Sequence, residues 1–537
     1  MVCFTNCARL LLMSERCEPD ITLATPPPIT QRTAEENLGL GYLASVLRKN
    51  GQNVQIIDGW LNGLSSHELA SEILKTPPET FLGFSCYRSN MERTMEVASL
   101  VRQGGLDVPL VVGGYGPTFD PEVFLRAGFD IVVRGEAEET VLELNSYLTK
   151  GIPDLPEIKG ISYMHSGDIK HNLSRPLKLD IDEIPFPSRD TMDLAIKRRS
   201  AVHIASARGC DGHCLFCSIL AFQKLSKGPQ WRQRSITNFV DELETLNKSG
   251  VRYFKVIDDS FIELPRDEAW CKSLADKVQE KGLDVRLRGS IRADRVTDGV
   301  IKELKRAGFF AFSCGIENAS DFALKRMGKS ASAEQNGKAL DIFKKHGIYV
   351  QAGYILFDHG TTMTELEVNY RFMREYAWTI SKGTFTEMYA ADGTSFTRLL
   401  SNKGFLKEDK KGRGNNTYEV QDPEARKVYN ALKLWHKSHL RTYDMTIDAI
   451  SAPKALEPEE LELFHPLCVE LKEKDLDFMR DVLDLVEEGI SEEQILEFAN
   501  VQILKVKNWY IKFEGRVLAA YEQAGLVYDA DENPFIN

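Results

Sequence analysis

Alternation between two hydrophobic periods constrains this chain more than any other feature. Short apolar runs of strand length recur at residues 21–24, 54–57, 81–85, 110–112 and 131–133. Between them lie segments of helical period, at 38–49, 67–74 and 91–102. Strands that alternate with helices form parallel sheets covered by helices on both faces. The alternation stops at residues 177–189, a stretch punctuated by Asp180, Asp182, Glu183, Pro185, Pro187 and Ser188. It then resumes: strands at 201–206, 253–257, 284–289, 309–314 and 350–356, with helices at 238–249, 267–279, 298–307 and 333–346. The expectation is an α/β chain with two β/α modules. The first is a doubly wound parallel sheet and the second is a repeat of the kind that curls into a barrel.

Beyond Lys407 the pattern becomes charged and helical, at 423–443, 459–487 and 491–524. A length of 537 residues accommodates about three domains. The division is a tail at 1–19, an α/β domain at 20–176, a linker at 177–200, a barrel at 201–406 and a helical domain at 407–537. The helical domain is expected over the barrel mouth, associated with substrate. Its Trp435, His436, Trp509 and Tyr510 are read as core before pocket.

Composition removes several function classes. The net charge is −12 with no basic stripe, which argues against nucleic acid and anionic membrane as partners. No apolar run reaches bilayer length. Residues 1–17 lack a signal-peptide pattern and read as a tail, with Cys3, Cys7 and Cys17 reduced in it. The expected location is cytoplasmic.

Three cysteines are packed into Arg208-Gly209-Cys210-Asp211-Gly212-His213-Cys214-Leu215-Phe216-Cys217. Three thiolates this close can ligate three irons of a [4Fe–4S] cluster and leave the fourth iron open. The competing reading is zinc, with His203 or His213 as fourth ligand. Zinc motifs usually show a second ligand pair downstream, whereas here Cys271 and Cys314 stand alone.

Four pieces of the first module, in order, resemble the cobalamin-binding domain of B12-dependent radical SAM enzymes. They are Leu38-Gly39-Leu40-Gly41-Tyr42-Leu43-Ala44, the strand ending at Asp58, Gly113-Gly114-Tyr115-Gly116-Pro117-Thr118, and Arg134-Gly135-Glu136-Ala137-Glu138. The resemblance implies cobalamin near Asp58, Trp60, Tyr87, Arg88, Gly113, Gly114, Thr118, Gly135 and Glu136. The chain departs from the family's Asp-x-His-x-x-Gly, because Trp60 stands where the cobalt-ligating His would be. That implies a lower cobalt face open to, or blocked by, Trp60, Tyr87 or Arg88. Trp60 as an ordinary core residue, and the domain as a flavodoxin-like or nucleotide-binding module, are the plain alternatives. No G-x-G-x-x-G follows the first strand.

The cysteine motif, Phe216 and the polar strand ends resemble the radical SAM superfamily, so the likeness spans residues 20–400. It implies a partial (β/α)6 barrel, with S-adenosylmethionine (SAM) chelating the open iron. It also places Phe216, Asp258, Asp259, Ser290, Arg292 and Glu317 around that ligand. Carboxylates would balance the sulfonium, and Ser290 and Arg292 would hold the methionyl carboxylate. Ile257-Asp258-Asp259 stands where the family often has Gly-Gly-Glu, while Glu317 is the candidate for the ribose.

The implied activity is C-methylation of an unactivated carbon in a small-molecule or peptide natural-product intermediate. It would proceed by a 5′-deoxyadenosyl radical and methylcobalamin. An external donor such as flavodoxin or ferredoxin would supply electrons. The alternative is a non-methylating cyclisation, rearrangement or oxidation on the same cofactors; a cobalamin- or zinc-binding sensor is the non-enzymatic reading.

Overall fold

The computed structural model describes residues 18–28, 36–381, 384–407, 416–451 and 455–528. Cys3, Cys7 and Cys17 lie outside them. The chain forms two compact units, one of Met1–Pro28 with Gly39–Leu173 and the other of Ile29–Leu38 with Ser174–Asn537.

The first unit runs β1 (Ile21–Thr25), α1 (Leu38–Lys49), β2 (Val54–Asp58), α2 (Ser66–Lys75), β3 (Phe81–Ser85), α3 (Met91–Gln103), β4 (Leu110–Gly113), α4 (Tyr115–Phe119), α5 (Pro121–Arg126), β5 (Ile131–Val133), α6 (Glu138–Lys150), β6 (Ile161–His165) and β7 (Asp168–His171). Its sheet order is β2-β1-β3-β4-β5-β6-β7. The first five strands pair in parallel, the inner ones buried almost throughout and the edge strand β2 only partly, and β6 and β7 add an antiparallel edge that the periodicity does not predict. Local signals agree with the fold. Ser65 caps α2 by accepting from the Glu68 N–H, and the Glu68 carboxylate accepts from the Ser65 N–H at 2.8 Å; such a cap is worth about 1 kcal/mol.

The second unit continues with α7 (Met192–Lys197), β8 (Val202–Ile204), β9 (Ala207–Gly209), α8 (Ser218–Gln223), β10 (Trp231–Gln233), α9 (Ile236–Lys248), β11 (Tyr253–Val256), α10 (Glu268–Glu280), β12 (Arg286–Arg292), α11 (Asp298–Arg306), β13 (Phe309–Glu317), α12 (Asp321–Arg326), α13 (Ala333–His346), β14 (Tyr349–Tyr354), α14 (Met363–Glu375) and α15 (Ser395–Asn402). Strands β8, β11, β12, β13 and β14 form one parallel sheet in chain order. Parallel bridges from Gln351 to Ile380 and from Phe357 to Glu387 extend it to a sixth position. This is an open β/α barrel. Its helix-facing side is a phenylalanine-rich core in which Phe309 stacks on Phe312 with centroids 5.0 Å apart.

Among the described residues, four helices follow: α16 (Pro423–Ser438), α17 (Leu440–Ser451), α18 (Pro458–Glu487) and α19 (Glu492–Gln523). Their buried residues belong to the same hydrophobic cluster as the barrel, so the core shows no boundary at residue 407. Their placement also differs from a cap over the mouth. Leu461, Leu456 and Ile450 line a cavity with Tyr253, Phe310 and Tyr349, which begin or nearly begin their strands. Tyr349 donates to Glu462, and Arg252 and Arg286 face Glu457. The helices thus floor the barrel at the amino ends of its strands and flank its open edge, where Lys472 donates to Thr379 Oγ1 at 2.9 Å. Tyr429 reaches the other end, edge-on to Phe357 at 5.1 Å.

Candidate functional site

The cysteine loop leaves the short ribbon β9–β10, at the carboxyl-end side of the barrel strands. Gly209 has φ 86°, and a Cβ there would stand 1.8 Å from the Gln230 carbonyl oxygen, so only glycine turns the chain into the loop. The loop is then pinned from below: the Leu215 N–H donates to the Met327 carbonyl at 2.9 Å, and the Phe396 N–H to the Leu215 carbonyl at 2.9 Å. Phe216 packs with Met327, Met388 and Phe396, which anchors the loop.

Cys210, Cys214 and Cys217 are half-buried free thiols. Burial pushes the Cys210 thiol up to about 12 and raises the other two. Among the described residues no three Cys, His, Asp or Glu side chains converge on a point that would hold a single metal ion. Gly212 keeps the loop open: a Cβ there would lie 3.2 Å from Cys210 Sγ and 3.4 Å from Arg292 Nη1.

The strand ends sort the carboxylates. Asp258 is buried and turned inward. It accepts from the Ser206 N–H at 2.7 Å and the Ser206 hydroxyl at 2.5 Å, and it faces Arg266 Nη1 at 3.6 Å. Arg266 is fully buried, with its guanidinium 4.3 Å from the Trp270 ring centroid. Asp258 thus braces the barrel wall through Ser206 and Arg266. Asp259 is the open one of the pair. It accepts from the Gly209 N–H at 3.1 Å, and desolvation, with the charge of Asp258, pushes its carboxyl up to about 6.

Ser290 lies on β12 in register with Ser313, on the side away from the helix-packed core. Arg292 does not stand ready for a ligand carboxylate. It is a fork on Asp294, at 3.0 and 2.6 Å, and it also donates to Glu263 at 3.2 Å. Asp358, another strand-end carboxylate, is gripped by Arg326 at 2.9 Å on both oxygens.

Glu317 is different in kind. It ends β13 at φ 63°, a left-handed conformation that costs a non-glycine residue on the order of 1–3 kcal/mol and clusters at functional sites. Register shifts there between Gly315 and Glu317. Its carboxylate lies 3.0 Å from Lys329 Nζ. Sequence patterning offers no sign of Lys329, nor of Glu263, a fully buried carboxylate 3.4 Å from Cys210 Sγ that also faces Arg295. Neither sits at a motif spacing; only the fold brings them to the cysteines.

In the first unit, strand order reverses at β1, between β2 and β3, and such a switch point opens a crevice at the strand carboxyl ends. The expected residues gather on the loops there. Asp58 is buried and accepts from the Leu61 N–H at 2.9 Å, closing the turn that carries Trp60. Trp60 meets Tyr87 edge-on, with centroids 6.0 Å apart. The buried Trp60 Nε1 has no hydrogen-bond partner among the described residues. Arg88 is paired with Asp120. Gly113 ends β4, and Gly114 has φ 107° with a Cβ position 2.4 Å from the Cys86 carbonyl oxygen. Thr118 donates to the Gly114 carbonyl at 2.6 Å and accepts from the Gly135 N–H at 3.2 Å, which ties two loops together beside Glu136.

Of the C-terminal aromatics, Trp435 and Tyr510 are core, and Trp509 is partly buried against it. Trp435 stacks on Phe478 with centroids 4.0 Å apart, His439 stacks on Tyr510, and Trp509 lies against Phe513.

Comparison with known proteins matches residues 30–145 to the B12 binding domain and residues 204–373 to the Radical SAM superfamily. The chain is 33% identical over 344 residues to an uncharacterized methyltransferase from Pyrococcus horikoshii, covering 63% of this chain and 73% of that one. It is 28% identical over 356 residues to an anaerobic magnesium-protoporphyrin IX monomethyl ester cyclase from Rubrivivax gelatinosus, covering 63% of this chain and 61% of that one. The solved structure of the cobalamin-dependent S-adenosylmethionine radical enzyme OxsB, with aqua-cobalamin and S-adenosylmethionine bound, superposes with a TM-score of 0.77 at 21% identity. That match covers 96% of this chain and 82% of OxsB, and shows a shared fold.

Proposed function

The chain belongs to the cobalamin-dependent radical SAM enzymes, and from that premise we propose that it is a methyltransferase acting on an unactivated carbon of a small-molecule or peptide natural-product intermediate. The observation that carries this reading is the pairing, in one chain, of the glycine-cleared three-thiol loop with a crevice whose buried Trp60 N–H lacks an acceptor among the described residues.

Cys210, Cys214 and Cys217 would hold a [4Fe–4S] cluster, and the residues fit it, since three accessible thiols stand on a loop that Gly212 keeps free of side chain. When bound, the cluster supplies the electron that splits SAM, and cobalamin supplies a carrier for the methyl group. The chain's own part is placement. Glu317, strained and fixed by Lys329, presents a carboxylate to the SAM ribose, and Asp259 puts charge near the cationic sulfonium. The loops at the β1 switch point would hold cobalamin, with Trp60 and Tyr87 among the residues facing it.

Cyclisation or another non-methylating radical reaction is the second reading, favoured by the likeness to the cyclase. Incubation of the reconstituted enzyme with trideuteromethyl-SAM and a small-molecule extract of its source separates the two. Methyl transfer yields S-adenosylhomocysteine and 5′-deoxyadenosine together, and a product carrying the label. 5′-Deoxyadenosine alone, with an unlabelled product, would reject methylation.

A further inference from the structure

The charges around the cysteine loop form two sets. On the Cys210 side, the buried Glu263 is matched by Arg292 and Arg295, each at 3.2 Å. On the Cys214 side there is one pair, Lys329 with Glu317, and both side chains are largely buried, at 6% and 13% exposure.

Three features fix this second pair in place. A Cβ on Gly315 would stand 2.6 Å from Glu317 Oε1 and 2.7 Å from Lys329 Nζ, so the pair rests directly on the bare backbone of Gly315. Gly353 lies in register with Gly315 on the neighbouring strand, and its Cβ position is 3.5 Å from Glu317 Oε2. The third feature is the turn before Lys329. Gly328 has φ 71°, and the Met327 carbonyl accepts the Leu215 N–H, so the lysine's backbone is tied to the cysteine loop one residue after Cys214. A Cβ on Gly328 would stand 2.8 Å from the His213 carbonyl oxygen and 3.1 Å from Leu215 Cγ, so the residue before Lys329 abuts the loop on both sides of Cys214.

We propose that Lys329 is a positioning residue that acts through its charge, and that its ammonium, locked to Glu317 over the Gly315–Gly353 floor, sets the reduction potential of the cluster on Cys210, Cys214 and Cys217. The inference rests on the assignment of the cluster to these cysteines. Reduction adds one electron to the cluster from a low-potential donor. A fixed positive charge beside one thiolate favours the more negative, reduced state, and a buried site screens that charge weakly. Buried lysine and carboxylate act with opposite sign, so their removal separates charge from mere packing.

The test is potentiometric titration of the reconstituted cluster, followed by electron paramagnetic resonance without SAM, in wild type, Lys329→Met, Lys329→Arg and Glu317→Gln. Iron and sulfide are counted first in each. Lys329→Met should move the midpoint negative, with about a tenfold smaller ratio of reduced to oxidised cluster at a fixed potential, equivalent to about 59 mV for a one-electron couple. Lys329→Arg should restore the wild-type value, and Glu317→Gln should move it positive. Midpoints that do not move, or that move the same way in Lys329→Met and Glu317→Gln, would overturn the proposal. A wild-type chain without iron and sulfide would instead overturn the cluster assignment beneath it.

Discussion

Asp258 accepts two hydrogen bonds from one residue, the Ser206 N–H at 2.7 Å and the Ser206 hydroxyl at 2.5 Å, and so ties the carboxyl end of β11 to the strand that leads into the cysteine loop. Because it also faces the buried Arg266, Asp258→Asn leaves a guanidinium without its counter-charge. Breaking a buried pair costs about 3–5 kcal/mol. The variant should unfold at markedly lower denaturant. Asp259→Asn should keep wild-type stability and weaken SAM binding, read by calorimetry. Equal stability of the two variants would contradict the division of roles.

In the proposed cobalamin site Trp60 takes the place of a cobalt-ligating imidazole, and the histidines of this unit are His67, on α2, with His165 and His171 on the β6–β7 hairpin. The electron paramagnetic resonance spectrum of the protein loaded with cob(II)alamin should therefore lack nitrogen superhyperfine splitting. A resolved nitrogen triplet would place a nitrogen, from a side chain or from the cofactor's own base, on cobalt and reject the arrangement.

Burial pushes the Asp475 carboxyl up to about 7; it accepts from Trp435 Nε1 at 2.9 Å and Thr384 Oγ1 at 2.8 Å. A raised carboxyl binds a proton in the folded chain that the unfolded chain has already released. Its contribution is full below the ordinary value of 3.8 and is lost as pH rises through 7. Asp475→Asn keeps an oxygen for the indole N–H and removes this loss. The Tm of the variant minus that of wild type should grow between pH 5 and pH 8, by about 2–4 °C for each kcal/mol recovered. A difference that stays flat across that range would show that Asp475 does not titrate there.

The four C-terminal helices share one core with the barrel and floor it, so a chain ending at residue 406 exposes Tyr253, Phe310 and Tyr349. It should lose cooperative unfolding and become protease-sensitive throughout the barrel. A stable truncated barrel with the full chain's proteolytic pattern would show an independent domain.

Much of the fold was legible because strand and helix periods are local. The alternation predicts β1 to β5, β11 to β14 and the long helices, and their bounds differ by a few residues. The β6–β7 hairpin was not, since both strands are short, β7 is largely exposed and neither carries an apolar run. The same locality limits the site. The cysteines are legible as a motif, and Glu317 as a strand-end carboxylate, but the inward turn of Asp258 depends on Arg266 and Ser206, and the grip on Arg292 depends on Glu263 and Asp294. Lys329 is read only from the fold, because it lies 12 positions beyond Glu317, across a helix and a turn. The helices' position under the barrel was hidden for a similar reason: an apolar stripe states that a face is buried, not which end of a barrel buries it.

The central claim is that Cys210, Cys214 and Cys217 hold the cluster that opens SAM. The direct measurement is iron, sulfide and 5′-deoxyadenosine on anaerobically reconstituted protein, for wild type and for Cys210→Ala/Cys214→Ala/Cys217→Ala. Wild type should hold about four irons and four sulfides per chain and release 5′-deoxyadenosine from SAM under a strong reductant. The folded triple variant should hold none and release none. Stoichiometric iron and sulfide in that variant, or SAM cleavage without them, would contradict the account.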